Sequence, residues 1–357
     1  MTPDEPVNPF GIPTPFDVFG SSEIVRPTED CALAPWRIPG HLNLWVPVDH
    51  TDELTRAFQG NGPQPMRILS SDPGTGYVVV VSGSTGSGKT SLINWCIDDL
   101  SRRINGYLGR STVLEGGLWD AHSGYEGVHV VTMRGFRNQD NGFSHENGIT
   151  LSVPDLNRKI VQEVLRKLVL AKALTKETEK TALSFRFVSD MYALISEELG
   201  IRRNVVIIVV PHVDWRNPKA SQQFLSSCHS HARAGIVFFL ESSGSSIGQD
   251  VEAAFHRYQS THLMHLEMGQ MKADDWANFI LRRTADGGLP GKAITIADEV
   301  VSSSPEVHLY SNVRELQTFL YAISQEVIAD GQEEIDMARL VAFAQNYGDI
   351  DPDGLGY

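Results

Sequence analysis

The stretch VVVVSGSTGSGKTSL, Val78 to Leu92, decides how the rest of the chain is read. Four consecutive valines without polar alternation read as a strand buried on both faces. Gly83-Ser84-Thr85-Gly86-Ser87-Gly88-Lys89-Thr90 then matches G-x-x-x-x-G-K-[ST] without a gap, and Ser91 continues into a helical pattern. The glycines let backbone N–H groups turn inward around a phosphate. Lys89 offers a point charge to the β- and γ-phosphates, and the Thr90 hydroxyl a ligand for Mg2+. Strand, loop and helix in that order make nucleotide binding the primary expectation.

Working outward, the same strand type recurs. GVHVVTMRG (127–135), NVVIIVV (204–210), GIVFFL (235–240) and THLMHLEM (261–268) are apolar runs separated by helical stretches. Helices are expected around 52–58, from about 90 to 104, over 154–174, over 184–200 and around 250–258. The implied fold is α/β, a mostly parallel sheet with helices on both faces. After residue 271 the pattern turns helical, with candidates over 272–284, 291–303, 311–330 and 333–347, and Asn312 and Glu315 set like a capping pair. Residues 111–126 and 137–150 read as loops. The organisation expected is an extended N-terminal arm over 1–45, an α/β core over 46–270, a small all-helical lid over 271–347 and a tail over 348–357. Eight of the eighteen prolines lie in the first forty residues, so the arm is extended, and Phe10, Phe16, Phe19 and Trp36 suggest that it docks on its own domain or on a neighbour.

The bulk numbers narrow the function. The chain has 357 residues, 41% of them hydrophobic, and a formal net charge of −14, which opposes broad non-specific nucleic-acid binding. Cys31, Cys96 and Cys228 are too few and too scattered for a disulfide framework. No run approaches a membrane span, and the acidic, proline-rich start is unlike a signal peptide. A cytoplasmic protein is expected.

A triphosphatase also needs an acid at the end of a second central strand, to hold Mg2+ through water and polarise the attacking water. The expected place, after NVVIIVV, holds Pro211-His212-Val213-Asp214-Trp215. Asp214 is a candidate for Mg2+ or catalysis if the strand end bulges, or it caps the turn. Glu241, ending the neighbouring strand, could orient water, or be a polar strand terminus. Two other patterns have simpler readings. Gly244-Ser245-Ser246-Ile247-Gly248 matches G-x-S-x-G, but the glycine loop already accounts for the sheet as phosphate-binding. Cys228, His229 and His231 lack a second ligand cluster and read as a polar helix end.

With these residues in view, the chain resembles the AAA+ ATPases, especially the branch of origin-recognition initiators and STAND signalling NTPases, over roughly residues 45–347. The resemblance implies ATP or ADP with Mg2+, bound between Gly83–Ser91 and the lid. It also implies a polar sensor at Ser242 or Ser243, a γ-phosphate contact from Arg314 and a contact with a neighbouring subunit's nucleotide from Arg257. A homo-oligomer or a separately encoded protein partner is implied, with nucleic acid not favoured and no membrane. The reading is a regulatory or scaffold protein, in defence or signalling, whose nucleotide state controls assembly, with a degenerate acidic strand and weak or absent hydrolysis. The alternatives are an active ATPase with a rearranged acidic site and a DNA-linked regulator of the transposition or replication type.

Overall fold

In the computed structural model, the described residues are 6–13, 24–27, 32–70, 72, 74–114, 124–133, 137–139, 142–144, 152–211, 218–242, 262–272, 274–285, 289, 292–303, 310 and 312–347. Five apolar runs become the strands β1 (Tyr77–Ser82), β2 (Val128–Thr132), β3 (Val205–Val210), β4 (Ile236–Ser242) and β5 (Leu263–Glu267). They form one parallel sheet in the order β5-β1-β4-β3-β2. Every residue of β1, β3 and β4 is buried, which is why those runs carry no polar alternation.

Alternation along each strand divides the core in two. Val78, Val80, Ile208, Val210, Phe238 and Leu240 face α4 (Val153–Leu170), α6 (Val188–Arg202) and α7 (Pro218–His231). Val79, Val81, Ile207, Val209, Val237 and Phe239 face α3 (Lys89–Leu108), with α1 (Thr51–Asn61) and α2 (Pro65–Ile68) beside it. Each such buried aliphatic side chain contributes about 1.5–3 kcal/mol. The helices start and stop at chemical signals. Ser152 caps α4 by accepting from Asp155 N, with Pro154 in the first turn, and Gly109 ends α3 in the left-handed region.

The C-terminal region contains α8 (Asp275–Thr284), α9 (Asp298–Ser302), α10 (Val313–Ala329) and α11 (Met337–Tyr347) around a third apolar cluster. Two expected helices are shorter than their patterns. Over 291–303, β-branched Ile294-Thr295-Ile296 favours extended backbone, and Thr295–Ile296 pairs in parallel with Glu334–Ile335, leaving helix only from Asp298 and from Met337. The lid is therefore mostly, not wholly, helical. Likewise 137–150 is not all loop, because Arg137–Gln139 and Gly142–Ser144 form a hairpin, and a further helix, α5 (Lys176–Ser184), capped by Thr175, lies between the helices expected over 154–174 and 184–200. The expected helix around 250–258 lies outside the described residues, as do Phe16, Phe19 and Cys31.

The N-terminal segment is built into the lid. Pro6–Val7 pairs in parallel with Lys292–Ala293, Phe10 is fully buried and stacks on Phe279 at 6.2 Å, and Asn8 Nδ2 donates to Tyr321 O at 2.9 Å. Arg283, 2% exposed, donates from Nε to Pro9 O at 2.8 Å and from its two terminal nitrogens to Gly11 O and Leu44 O. Burial lowers its pKa to about 9. Farther along, Trp36 Nε1 donates to Asn94 Oδ1, Asn94 Nδ2 to Leu33 O, and Trp45 packs on Trp95, so this part lies on α3. Among the described residues, no helix is long and apolar enough to cross a membrane.

Candidate functional site

The glycine loop sits between the C-terminal end of β1 and the N-terminus of α3. Gly83, Gly86 and Gly88 have φ of +150°, +82° and +96°, values that L side chains rarely adopt. Gly88 is the N-cap of α3 and brings no side-chain acceptor, and the first turn carries no acid. The amide groups of that turn and the positive end of a twenty-residue helix therefore favour an anion. Lys89, 4% exposed, donates from Nζ to Gly83 O at 3.1 Å and to Ser84 O at 2.8 Å, which keeps the ammonium against the loop. Ser87 Oγ is buried without a hydrogen-bond partner among the described residues. An orphaned hydroxyl inside a left-handed glycine loop, beside a lysine and a helix N-terminus, fits a nucleotide's phosphates.

Around the loop the structure gathers three of the other expected residues. Thr90 Oγ1, in the first turn of α3, lies 3.1 and 3.0 Å from the two carboxylate oxygens of Glu241, which is 4% exposed near the end of β4. Ser242 follows it, 1% exposed, in register with Ser82 of the loop strand. Arg314, in the first turn of α10, donates its backbone N–H to Gly86 O at 3.1 Å. The expected capping pair forms, with Glu315 N donating to Asn312 Oδ1 at 3.0 Å. Pro211 follows β3 directly; His212, Asp214, Ser243, Arg257 and the G-x-S-x-G serine Ser246 lie outside the described residues. Cys228, His229 and His231 fall on the last turns of α7, with Cys228 and His231 buried.

Sequence reasoning missed three neighbours of the loop and its strand, and two residues at the start of α1. A side chain at Gly86 would bring its Cβ to 2.4 Å from Asn312 Oδ1, and one at Gly83 to 2.6 Å from Met268 Cβ. Asn312 carried a capping signal, but not its approach to the loop. His265 Nε2 lies 2.7 Å from Ser82 Oγ. Asp49 and His50 both have positive φ, and Asp49 N donates to Asp275 Oδ2 at 3.1 Å, fixing the start of α1 to the lid. Burial raises the Asp49 pKa above the usual carboxylate range. No sequence pattern marks these two residues.

Residues 66–142 match the KAP family P-loop domain. No curated protein matches the chain. Among solved structures, the chain is similar to the ORC1 protein of Aeropyrum pernix in complex with DNA, with 13% identity, 88% of this chain and 69% of that one covered, and a TM-score of 0.48. It is similar to Cdc6p from Pyrobaculum aerophilum, with 12% identity, 90% and 72% covered, and a TM-score of 0.48. It is also similar to domain III of the Thermotoga maritima replication initiation protein DnaA, with 12% identity, 88% and 97% covered, and a TM-score of 0.41. The loop, the five-stranded parallel sheet and the matched P-loop domain make this a P-loop NTPase fold, with a helical C-terminal region.

Proposed function

We propose that the protein is an ATP- or ADP-binding switch, in which the nucleotide at Gly83–Ser91 sets the position of the lid and, through it, assembly with copies of itself or a separate protein partner. The observation that carries this reading is the direct seat of α10 on the glycine loop. Arg314 N donates to Gly86 O, and Asn312 sits where only glycine leaves room. A phosphate drawn into the loop by Lys89, Ser87 and the amides of α3 would then lie beside the start of α10, which carries Arg314. A ligand shifts such an equilibrium only by its differential affinity for the two lid positions, and a contact shared by loop and lid supplies that difference. Arg314 is the residue proposed to report the γ-phosphate, and Ser242 a polar group beside it.

Bound nucleotide would supply the phosphates and, with Mg2+, the metal; the chain supplies the cradle. Slow or absent turnover follows from the end of β3, where Pro211 brings no side-chain oxygen. The test is titration calorimetry with ADP and ATP in Mg2+, comparing the protein with Lys89→Ala. Affinity is expected to fall about a hundredfold, or about 3 kcal/mol, because the loop loses its charge. Sedimentation with and without ATP and Mg2+ reads the assembly. Equal affinity for Lys89→Ala, or an unchanged mass distribution, would overturn the switch. GTP competition tests the adenine preference that the resemblance implies.

A further inference from the structure

The strand expected to bring an acid to the metal ends in proline, and the register shows where an acid stands instead. Val209 pairs with Phe239 and Val210 with Leu240, so the next level across the two strands is Pro211 beside Glu241. On its other side Glu241 pairs with Val81 of the loop strand. Side chains alternate along a strand, and Val79, Val81, Val237, Phe239, Ile207 and Val209 all belong to the α3 face. Glu241, two residues after Phe239, belongs to that face too, and Thr90 lies in the first turn of α3. That parity is why the carboxylate meets the Thr90 hydroxyl at 3.0–3.1 Å rather than the α4–α6 side.

The pairing leaves the acid underfilled. A carboxylate offers about four lone-pair positions, yet Glu241 accepts from a single hydroxyl, and among the described residues no Lys or Arg pairs with it. Buried acids are tolerated where they are paired, protonated or on a metal. Mg2+ beside a nucleotide takes oxygen ligands from phosphates, a loop hydroxyl, water and one or two carboxylates. We infer that Glu241 and Thr90 together hold a divalent cation against the nucleotide's phosphates, the acid having its place one strand nearer the loop than the end of β3. This rests on nucleotide binding at the glycine loop, as proposed above.

The experiment measures ADP affinity in EDTA and in Mg2+, and Mn2+ binding to the protein–ADP complex by paramagnetic resonance. The wild type is expected to bind ADP at least tenfold tighter with Mg2+. Glu241→Gln, of the same size, is expected to bind in EDTA as the wild type does while losing that enhancement and the bound Mn2+ signal. Thr90→Val should lose both as well, and Thr90→Ser should keep them, which separates metal binding from a folding defect in one variant. Pro211→Asp in the Glu241→Gln background is expected to recover part of the enhancement, because it returns a carboxylate to the same level of the sheet. Full Mg2+ enhancement and Mn2+ binding in Glu241→Gln would overturn the assignment while leaving the nucleotide reading intact. A wild type that binds no ADP under either condition would remove both.

Discussion

The lid is held in two places that differ in kind. On the loop side, one backbone hydrogen bond from Arg314 to Gly86 and the close approach of Asn312 bring α10 against the phosphate cradle. On the far side, the N-terminal segment adds a strand pair, the buried Phe10 and the guanidinium of Arg283 spread over three backbone carbonyls. The first attachment is made by half-exposed residues of the loop and of α10. The second is buried and made of many groups. The difference teaches that the proposed nucleotide switch would act at the edge beside the loop, while the other edge keeps the lid's own core complete. The loop side is a latch and the far side an anchor.

The anchor should break hardest. Arg283→Met leaves the Pro9, Gly11 and Leu44 carbonyls without their donor, and each buried acceptor left unsatisfied costs about 1–3 kcal/mol. Thermal unfolding should show this as a large fall in melting temperature, while ADP affinity at low temperature changes little. Equal losses of stability and affinity would mean that anchor and latch are one unit.

Acid should loosen the anchor next. His41, 2% exposed, accepts from Ala34 N through Nδ1 at 2.9 Å and reaches Pro13 O through Nε2 at 2.8 Å, an arrangement that fixes the neutral ring with its proton on Nε2. Burial lowers its pKa from 6.5 to about 4, with a hydrogen bond to Pro13 opposing and Arg283 adding to the shift. Between those values the unfolded chain binds the extra proton, so stability rises with pH there and is lost as pH falls from about 6.5 toward 4. The loss reaches about 3 kcal/mol for this one group. Denaturant melts from pH 7 to 4.5 would read it, and His41→Gln should flatten that part of the profile. An unchanged slope in that variant would assign the acid sensitivity elsewhere.

The latch should give the smallest effect. Gly86→Ala combines a φ of +82° with a Cβ at 2.4 Å from Asn312 Oδ1, and an L residue in that conformation costs about 1–3 kcal/mol before the lid moves. Faster amide exchange confined to the start of α10 is expected. Gly60→Ala is the control: its Cβ would meet nothing within 4 Å inside α1, and it should stabilise by about 0.5–1 kcal/mol. Exchange that quickened across the whole lid in Gly86→Ala would show that the latch holds more than one helix end.

Much of this was readable from the chain alone, and the reasons are physical. The strands were legible because a strand buried on both faces needs apolar residues at every position, as Val78–Val81 and Val205–Val210 show. The loop was legible because only glycine serves its left-handed positions. The start of α10 was legible from Asn312 and Glu315. Glu241 could be named but not paired, since its partner depends on register and on which face of β4 it shares with α3. The short strands at 292–296 were read as helix because their pairing comes from Pro6–Val7 and Glu334–Ile335, distant in sequence. Arg283 gave no signal at all: in a helix ending Arg282-Arg283-Thr284, its pattern is that of a solvated last turn.

The anchor also has a timetable. Asn8 bonds to Tyr321, 313 residues later, and Phe10 is buried in a cluster whose other side chains, Val46 and Val48 aside, follow residue 275. At about 5–20 residues per second, a ribosome makes the lid on the order of tens of seconds after the segment that completes it. Through that interval Phe10 has no lid to enter, and the α/β core has time to close first. The earliest residues of the described chain are thus among the last to find their places, and an anchor that fails to arrive leaves the lid with an open core on a finished nucleotide-binding domain.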